Sequence, residues 1–129
     1  MEEFQVHLFG TMAMCEAFVD QVTASKRKLI VNISSGNGSL TLESGIGDYP
    51  YNTSKVALNL ISKGLAADLK QRGITVVCFT PGFVATDMSG PNADLSPDES
   101  VNAMCAIIDA LGPDQTGTFL RYNGETVPW

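Results

Sequence analysis

Tyr51 and Lys55 stand four residues apart, a separation that puts two side chains on one face of a helix. A phenol beside an ammonium is a useful pair, because the cation favours the phenolate. It draws a group that ordinarily titrates near ~10 toward working pH, where it can both give and take a proton. Ser35, upstream of the pair, offers a hydroxyl able to hold a substrate oxygen. Alone the pairing says little, since Tyr-x-x-x-Lys arises by chance roughly 0.2 times in a chain of this size. Its surroundings decide.

Those surroundings alternate between helix and strand. Val6, Leu8, Phe9, Met12, Ala13, Cys15, Ala17, Phe18 and Val19 predict a helix over 4–20, apolar around so much of its circumference that it should pack on more than one side. After the basic Lys26-Arg27-Lys28 loop, residues 29–33 form a β-branched run that suits a buried parallel strand. Residues 34–50 are irregular and rich in glycine, a length and composition usual for functional loops. Ala57, Leu58, Ile61, Leu65 and Leu69 mark a second helix over 52–71, closed by Gly73 in a left-handed cap. The strand 74–80 stops at Pro81-Gly82, and a second irregular stretch covers 83–95. Ser96, Pro97 and Glu99 spell a capping box for a helix to about Leu111, ended by Gly112-Pro113. A last strand at 118–121 precedes an Asn123-Gly124 turn. Helical crossovers between strands imply a parallel α/β sheet, in a single domain over 1–129 with no repeat and no linker.

Composition narrows the function classes. Eight basic against fourteen acidic residues leave a net charge of −6, which argues against a polyanion such as nucleic acid as the main partner. No apolar run approaches the ~18 residues of a membrane span, and the acidic Met-Glu-Glu start is unlike a secretory signal, so a cytoplasmic location is expected. Cys15, Cys78 and Cys105 have no paired spacing and read as free thiols; with one histidine, no metal site is expected. The sequons at Asn32, Asn37 and Asn52 are idle without a signal peptide. Ser25-x-x-Lys28 lacks the motifs that accompany it in penicillin-binding enzymes. A serine hydrolase is excluded by the want of a nucleophile elbow and a plausible base.

Ligands of an open parallel sheet bind beyond the carboxyl ends of its strands. Both irregular stretches leave from such ends, and the helix carrying Tyr51 and Lys55 opens on the same rim. The run Asn32-Ile33-Ser34-Ser35 ends one strand, Tyr51-Asn52-Thr53-Ser54-Lys55 starts a helix, and Pro81-Gly82-Phe83-Val84-Ala85-Thr86-Asp87 ends the next strand. In this order the three resemble the short-chain dehydrogenase/reductase family. Ser35 and Tyr51 lie sixteen positions apart, longer than the commonest family spacing. With Asp48-Tyr49-Pro50 before Tyr51, the run from Thr86 to Ala93 and the ending Gly124-Glu125-Thr126-Val127-Pro128-Trp129, this is similar to the C-factor and sniffer-type carbonyl reductase branch.

The resemblance covers essentially the whole chain and implies a Rossmann-like sheet with flanking helices. It implies that Tyr51 protonates a carbonyl oxygen as hydride arrives from NADP or NAD, NADPH being the branch's preference. Lys55 would hold the nicotinamide ribose and tune Tyr51, while Ser35 would bond the developing alkoxide. Pro81, Gly82, Val84 and Thr86 would lie against the nicotinamide, with residues 87–97 as a substrate lid. The substrate would be a small carbonyl compound or alcohol, and helices 4–20 and 52–71 would build a homo-oligomer. Two features depart from the family pattern. His7, three residues before Gly10, occupies the place of an active-site Asn. No glycine-rich turn for the cofactor pyrophosphate is present, and the Gly-x-Gly sites at Gly36 and Gly45 both lie between Ser35 and Tyr51. The chain is therefore expected to be a C-terminal half, with about three strands and three helices, lacking the cofactor-binding half. Cofactor binding by this chain alone stays open. So does the alternative of a catalytically idle fragment or interaction module.

Overall fold

A computed structural model of the chain describes residues 1–42 and 47–129. Gly45 and Ile46, of the second Gly-x-Gly pattern, lie outside the described residues.

The first helix, α1, runs through Glu2–Phe4, a π-helical segment Gln5–Gly10, and Thr11–Ala24. The wider turn is accommodated at Gly10, where an added Cβ would sit only 3.3 Å from the Gln5 carbonyl oxygen. Strand β1 is Leu29–Ile33. Helix α2, Tyr49–Asp68, begins three residues earlier than the sequence pattern suggests. Asp48 is its N-cap, accepting from the Tyr51 N–H at 3.2 Å, and Pro50 sits in the first turn where no amide hydrogen is needed. A 3-10 turn, Lys70–Arg72, and Gly73 at φ 72° close the helix as expected. Strand β2 is Thr75–Thr80, helix α3 is Pro97–Ala110 and strand β3 is Phe119–Arg121. The capping box is made as the sequence predicts: Ser96 N–H donates to Glu99 Oε2 at 2.8 Å, and Glu99 N–H to Ser96 Oγ at 3.2 Å.

The sheet is parallel throughout, in the order β1-β2-β3. Ile33 is in register with Phe79, and Thr80 with Arg121, so the three strands end on one rim. All six residues of β2 are buried, as befits a central parallel strand with helices on both faces. Val77 and Phe79 pack with Met104 and Leu120 beneath α3. Ile74 and Val76 pack on the other face with Ala66, Val19 and Leu65, beneath α2 and α1. Trp129 stacks on Phe119 with ring centroids 5.5 Å apart, tying the chain's last residue to β3.

Two expectations are corrected here. Helix α1 does not pack on several sides: its Thr11–Ala24 part buries no residue fully, and Val6, Phe9, Met12, Met14 and Phe18 remain exposed. Apolar circumference measures what a helix could bury, and α1 meets the rest of the fold along one side only. The description as a C-terminal half also gives way. Among the described residues, three parallel strands and three helices are joined around one central strand as a single Rossmann-like unit.

Candidate active site

The two loops that leave β1 and β2 are pinned to each other before either reaches solvent. Ser34 N–H donates to the Phe79 carbonyl at 2.7 Å, and Gly36 N–H to Thr80 Oγ1 at 3.0 Å. Ser35 then caps a 3-10 turn, Gly36–Gly38, its Oγ accepting from the Asn37 N–H at 3.2 Å. Gly38 is a packing glycine: a Cβ there would lie 2.7 Å from Asn59 Nδ2 and 2.9 Å from the Lys55 carbonyl oxygen. The turn lies flat on α2, held by Asn59 Nδ2 donating to the Gly38 carbonyl at 2.9 Å and by Asn37 Nδ2 donating to Asn52 Oδ1 at 3.1 Å. Gly36-Asn37-Gly38 thus serves close approach to a helix flank and makes no phosphate cradle.

Tyr51 rises from the first turn of α2, half-buried. Lys55, one turn on, is buried, with Nζ 5.7 Å from the centre of the Tyr51 ring and donating to the Ile33 carbonyl at 3.4 Å. Burial holds the Lys55 pKa below its ordinary value, with Cys78 acting weakly the other way. The π-helical segment of α1 brings in His7. Its Nδ1 lies 2.8 Å from Ser54 Oγ, and its ring meets the Tyr51 ring edge-to-face at 5.6 Å. Burial lowers the His7 pKa, the Lys55 charge lowers it further, and Glu3 opposes both.

Beyond β2, Pro81 is anchored by Ser100 Oγ, which donates to its carbonyl at 2.6 Å. Gly82 takes φ 84°, and a Cβ there would meet Leu95 and Tyr122 side chains at 2.9 Å, so both conformation and space demand glycine. The loop from Phe83 to Leu95 closes on itself through a Val84–Leu95 bridge. Within it Ser89 Oγ donates to the Val84 carbonyl, and the Thr86 carbonyl accepts from Gly90 N–H at 2.8 Å.

These pieces surround a pocket of about 510 Å³ lined by Ser35, Tyr51, Pro81, Gly82, Val84 and Thr86, among others. Lys55 and His7 are not in its wall; they flank Tyr51 from behind. Met88 and Ser89, from the stretch expected to form a lid, also line it, as do Asn37 and Arg121, which sequence reasoning missed. Arg121 was findable, since β3 ends on the same rim as its neighbours. Among the described residues no group of three His, Cys, Asp or Glu side chains is placed to hold a metal, and no helix is long and apolar enough to cross a membrane.

The profile of the short chain dehydrogenase family matches residues 1–96. The chain belongs to that family. C-signal of Myxococcus xanthus is 34% identical over 126 residues, which is 98% of this chain and 76% of that protein. The solved carbonyl reductase Sniffer of D. melanogaster is 39% identical with a TM-score of 0.73, over 78% of this chain and 41% of its own. NADPH-bound carbonyl reductase from chicken fatty liver superposes on 100% of this chain with a TM-score of 0.86 and 26% identity. The family profile thus covers residues 1–96 and the match to the chicken enzyme the full chain. These matches correct the expectation of a C-terminal half, and the three-stranded Rossmann-like unit is the fold of the residues described. The chain spans about half the length of these solved relatives, 58% in the chicken enzyme.

Proposed function

We propose that the chain is an NAD(P)-dependent oxidoreductase that reduces a small carbonyl compound or oxidises the corresponding secondary alcohol, with Tyr51 as acid and base. The observation that carries this reading is the meeting of Ser35, Tyr51 and the Pro81 to Thr86 segment around one pocket, with the Lys55 ammonium beside the phenol. Family membership and the NADPH-bound and carbonyl-reducing relatives support it.

The nicotinamide end of such a cofactor fits the residues present. Tyr51 offers its hydroxyl to a ribose, with the Lys55 ammonium behind the phenol, and Pro81, Gly82, Val84 and Thr86 offer a wall for a flat ring and its amide. The pyrophosphate end finds no comparable seat among the described residues, because Gly38 is filled by α2 and the α2 N-terminus is capped by an acid, Asp48. When bound, the cofactor supplies the hydride. Ser35 Oγ donates to the substrate oxygen and strengthens that bond as negative charge grows there. Tyr51 gives its hydroxyl proton to the same oxygen. Lys55 stabilises the phenolate left behind, an effect heightened because its charge is shielded from water. Reversing the order oxidises an alcohol, Tyr51 then acting as base.

Self-association through α1 and α2 accompanies this reading. Both helices leave large apolar side chains in water, Val6, Phe9 and Met12 on α1 and Leu60 on α2, more than a solitary surface helix needs. Light scattering that finds a folded monomer at micromolar concentration would remove it.

The function is tested by titrating the purified chain with NADPH and NADH while recording amide spectra. Binding should move the signals of Val84 and Thr86 and be weakened in Lys55→Met. No binding at millimolar cofactor would favour the idle-module alternative.

A further inference from the structure

His7 lies on a different helix from Tyr51, 47 residues from its bonding partner Ser54, and carries the chain's sole imidazole. Ser54 is fully buried and has a single hydroxyl proton. That proton is committed to the Tyr51 backbone carbonyl at 2.7 Å, an acceptor that cannot donate. With the proton so placed, the 2.8 Å contact between Ser54 Oγ and His7 Nδ1 runs from Nδ1–H to Ser54 Oγ. In that arrangement the neutral ring carries its proton on Nδ1 and its lone pair on Nε2.

We propose that His7 is a positioning residue for Tyr51: its Nδ1–H tautomer, bonded to Ser54 Oγ and through it to the Tyr51 carbonyl, fixes the first turn of α2 while its ring holds the phenol edge-to-face. Tyr51 is then gripped twice. Lys55 stands 5.7 Å from the ring centre and His7 5.6 Å, both from outside the pocket wall. The π-helical segment gives this grip its geometry. A widened turn in an otherwise regular helix is the common way to re-aim one side chain toward a site, and here it contains the side chain that reaches Tyr51.

The charge state follows from the surroundings. Lys55 on α2 and Glu3 on α1 are the charged groups that act on His7, and Tyr51 faces it as a neutral ring. Burial and the Lys55 ammonium outweigh Glu3, so His7 is neutral at physiological pH. Protonation keeps the Nδ1–H bond but places a second cation beside Lys55. The grip should therefore persist on acidification while the charge near the phenol changes.

This inference rests on Tyr51 being the acid and base of the proposed reaction, yet its first test needs no activity. Two-bond proton–nitrogen spectra of the nitrogen-labelled chain contain one imidazole, so assignment is unambiguous. At neutral pH the expected result is a protonated Nδ1 and a bare Nε2, with titration below the ordinary histidine value of 6.5. Ser54→Ala should return the ring to the Nε2–H form usual in free imidazoles. An Nε2–H tautomer in the unaltered chain, or an unchanged tautomer in a folded Ser54→Ala variant, overturns the proposal. Should Ser54→Ala fail to fold, His7→Phe and His7→Gln replace it. His7→Phe keeps a ring without the donor and should lower kcat about tenfold at unchanged KM. His7→Gln, whose amide can donate to Ser54, should recover part of that loss. Equal kcat in His7→Phe overturns the positioning role. Absence of reduction by the unaltered chain refutes the proposed function and leaves the tautomer to be read separately.

Discussion

The two sides of this sheet are built to different standards. On the β2 and β3 side, every β2 residue is buried, α3 covers Val77 and Phe79, and the loops that form the pocket are cross-linked by backbone and side-chain hydrogen bonds. On the β1 side, an edge strand with Ile33 47% exposed lies beneath a helix that leaves Phe9 and Phe18 about half in water. A groove of about 850 Å³ runs between α1 and β1, lined largely by apolar side chains such as Val6, Met14, Phe18 and Ile30. The proposed chemistry straddles the seam. The Pro81 to Thr86 segment leaves the well-packed β2, Ser35 leaves β1 on a loop pinned to β2 by hydrogen bonds, and His7 arrives from the thinly packed α1. In the proposed reaction the pocket is thus held by bonds to the central strand, while the His7 contact depends on a helix that the core holds less closely.

The largest effect that would break this contrast is a truncation in the core. Phe79→Ala should cost about 3–5 kcal/mol of stability, whereas Phe18→Ala should stay within about 0.5 kcal/mol, both read from denaturant unfolding. Equal losses would mean that α1 is as firmly docked as the core. Gly38→Ala comes next. Its methyl group would collide with Asn59 and the Lys55 carbonyl, lifting the Ser35 turn off α2 at about 1–3 kcal/mol, and a crystal structure should show the displaced turn. Ser96→Ala removes one half of the α3 capping box and should cost about 1 kcal/mol.

Lys55 provides a test in pH. Because burial holds its folded pKa below the ordinary value of 10.5, the unfolded chain binds the proton more readily. Stability should therefore rise with pH from the lowered folded pKa up to about that value, and level off below the lowered one. Lys55→Met should flatten this slope while abolishing function, and a slope that survives the substitution would assign it to another group. The smallest effect is one of rate. Exposed Cys105 should react with a thiol reagent first, half-buried Cys15 more slowly, and buried Cys78 only on unfolding, since burial raises the pKa of both Cys15 and Cys78.

What was legible in the sequence was local. The Ser96 to Glu99 box, the Gly73 cap and the three strands follow from short-range rules and appear within a residue or so of their expected places. Tyr51 and Lys55 share a face because their spacing forces it, and the rim rule brings Ser35 and the Pro81 segment beside them. Three features were not readable, each for its own reason. The π-helical turn has no periodic signature in a helix already apolar on most sides. The bond between His7 and Ser54 joins positions whose proximity depends on how α1 crosses α2. Packing of α1 was overstated because hydrophobic circumference says nothing about how much protein lies opposite it. The expectation of a C-terminal half rests on the lack of a glycine-rich turn, which is negative evidence, and is corrected by the family match over residues 1–96 and the structural match over the full chain.

The central claim is that Tyr51 transfers the proton in a hydride reduction at this pocket. The most direct measurement gives the chain nicotinamide cofactor deuterated at the transferring position, together with a ketone, and follows the label into the alcohol. The account predicts deuterium on the former carbonyl carbon and a rate about 10²–10⁴-fold lower in Tyr51→Phe, with the fold intact by circular dichroism. Transfer that proceeds equally well in Tyr51→Phe, or no transfer by a folded chain that binds the cofactor, would contradict it.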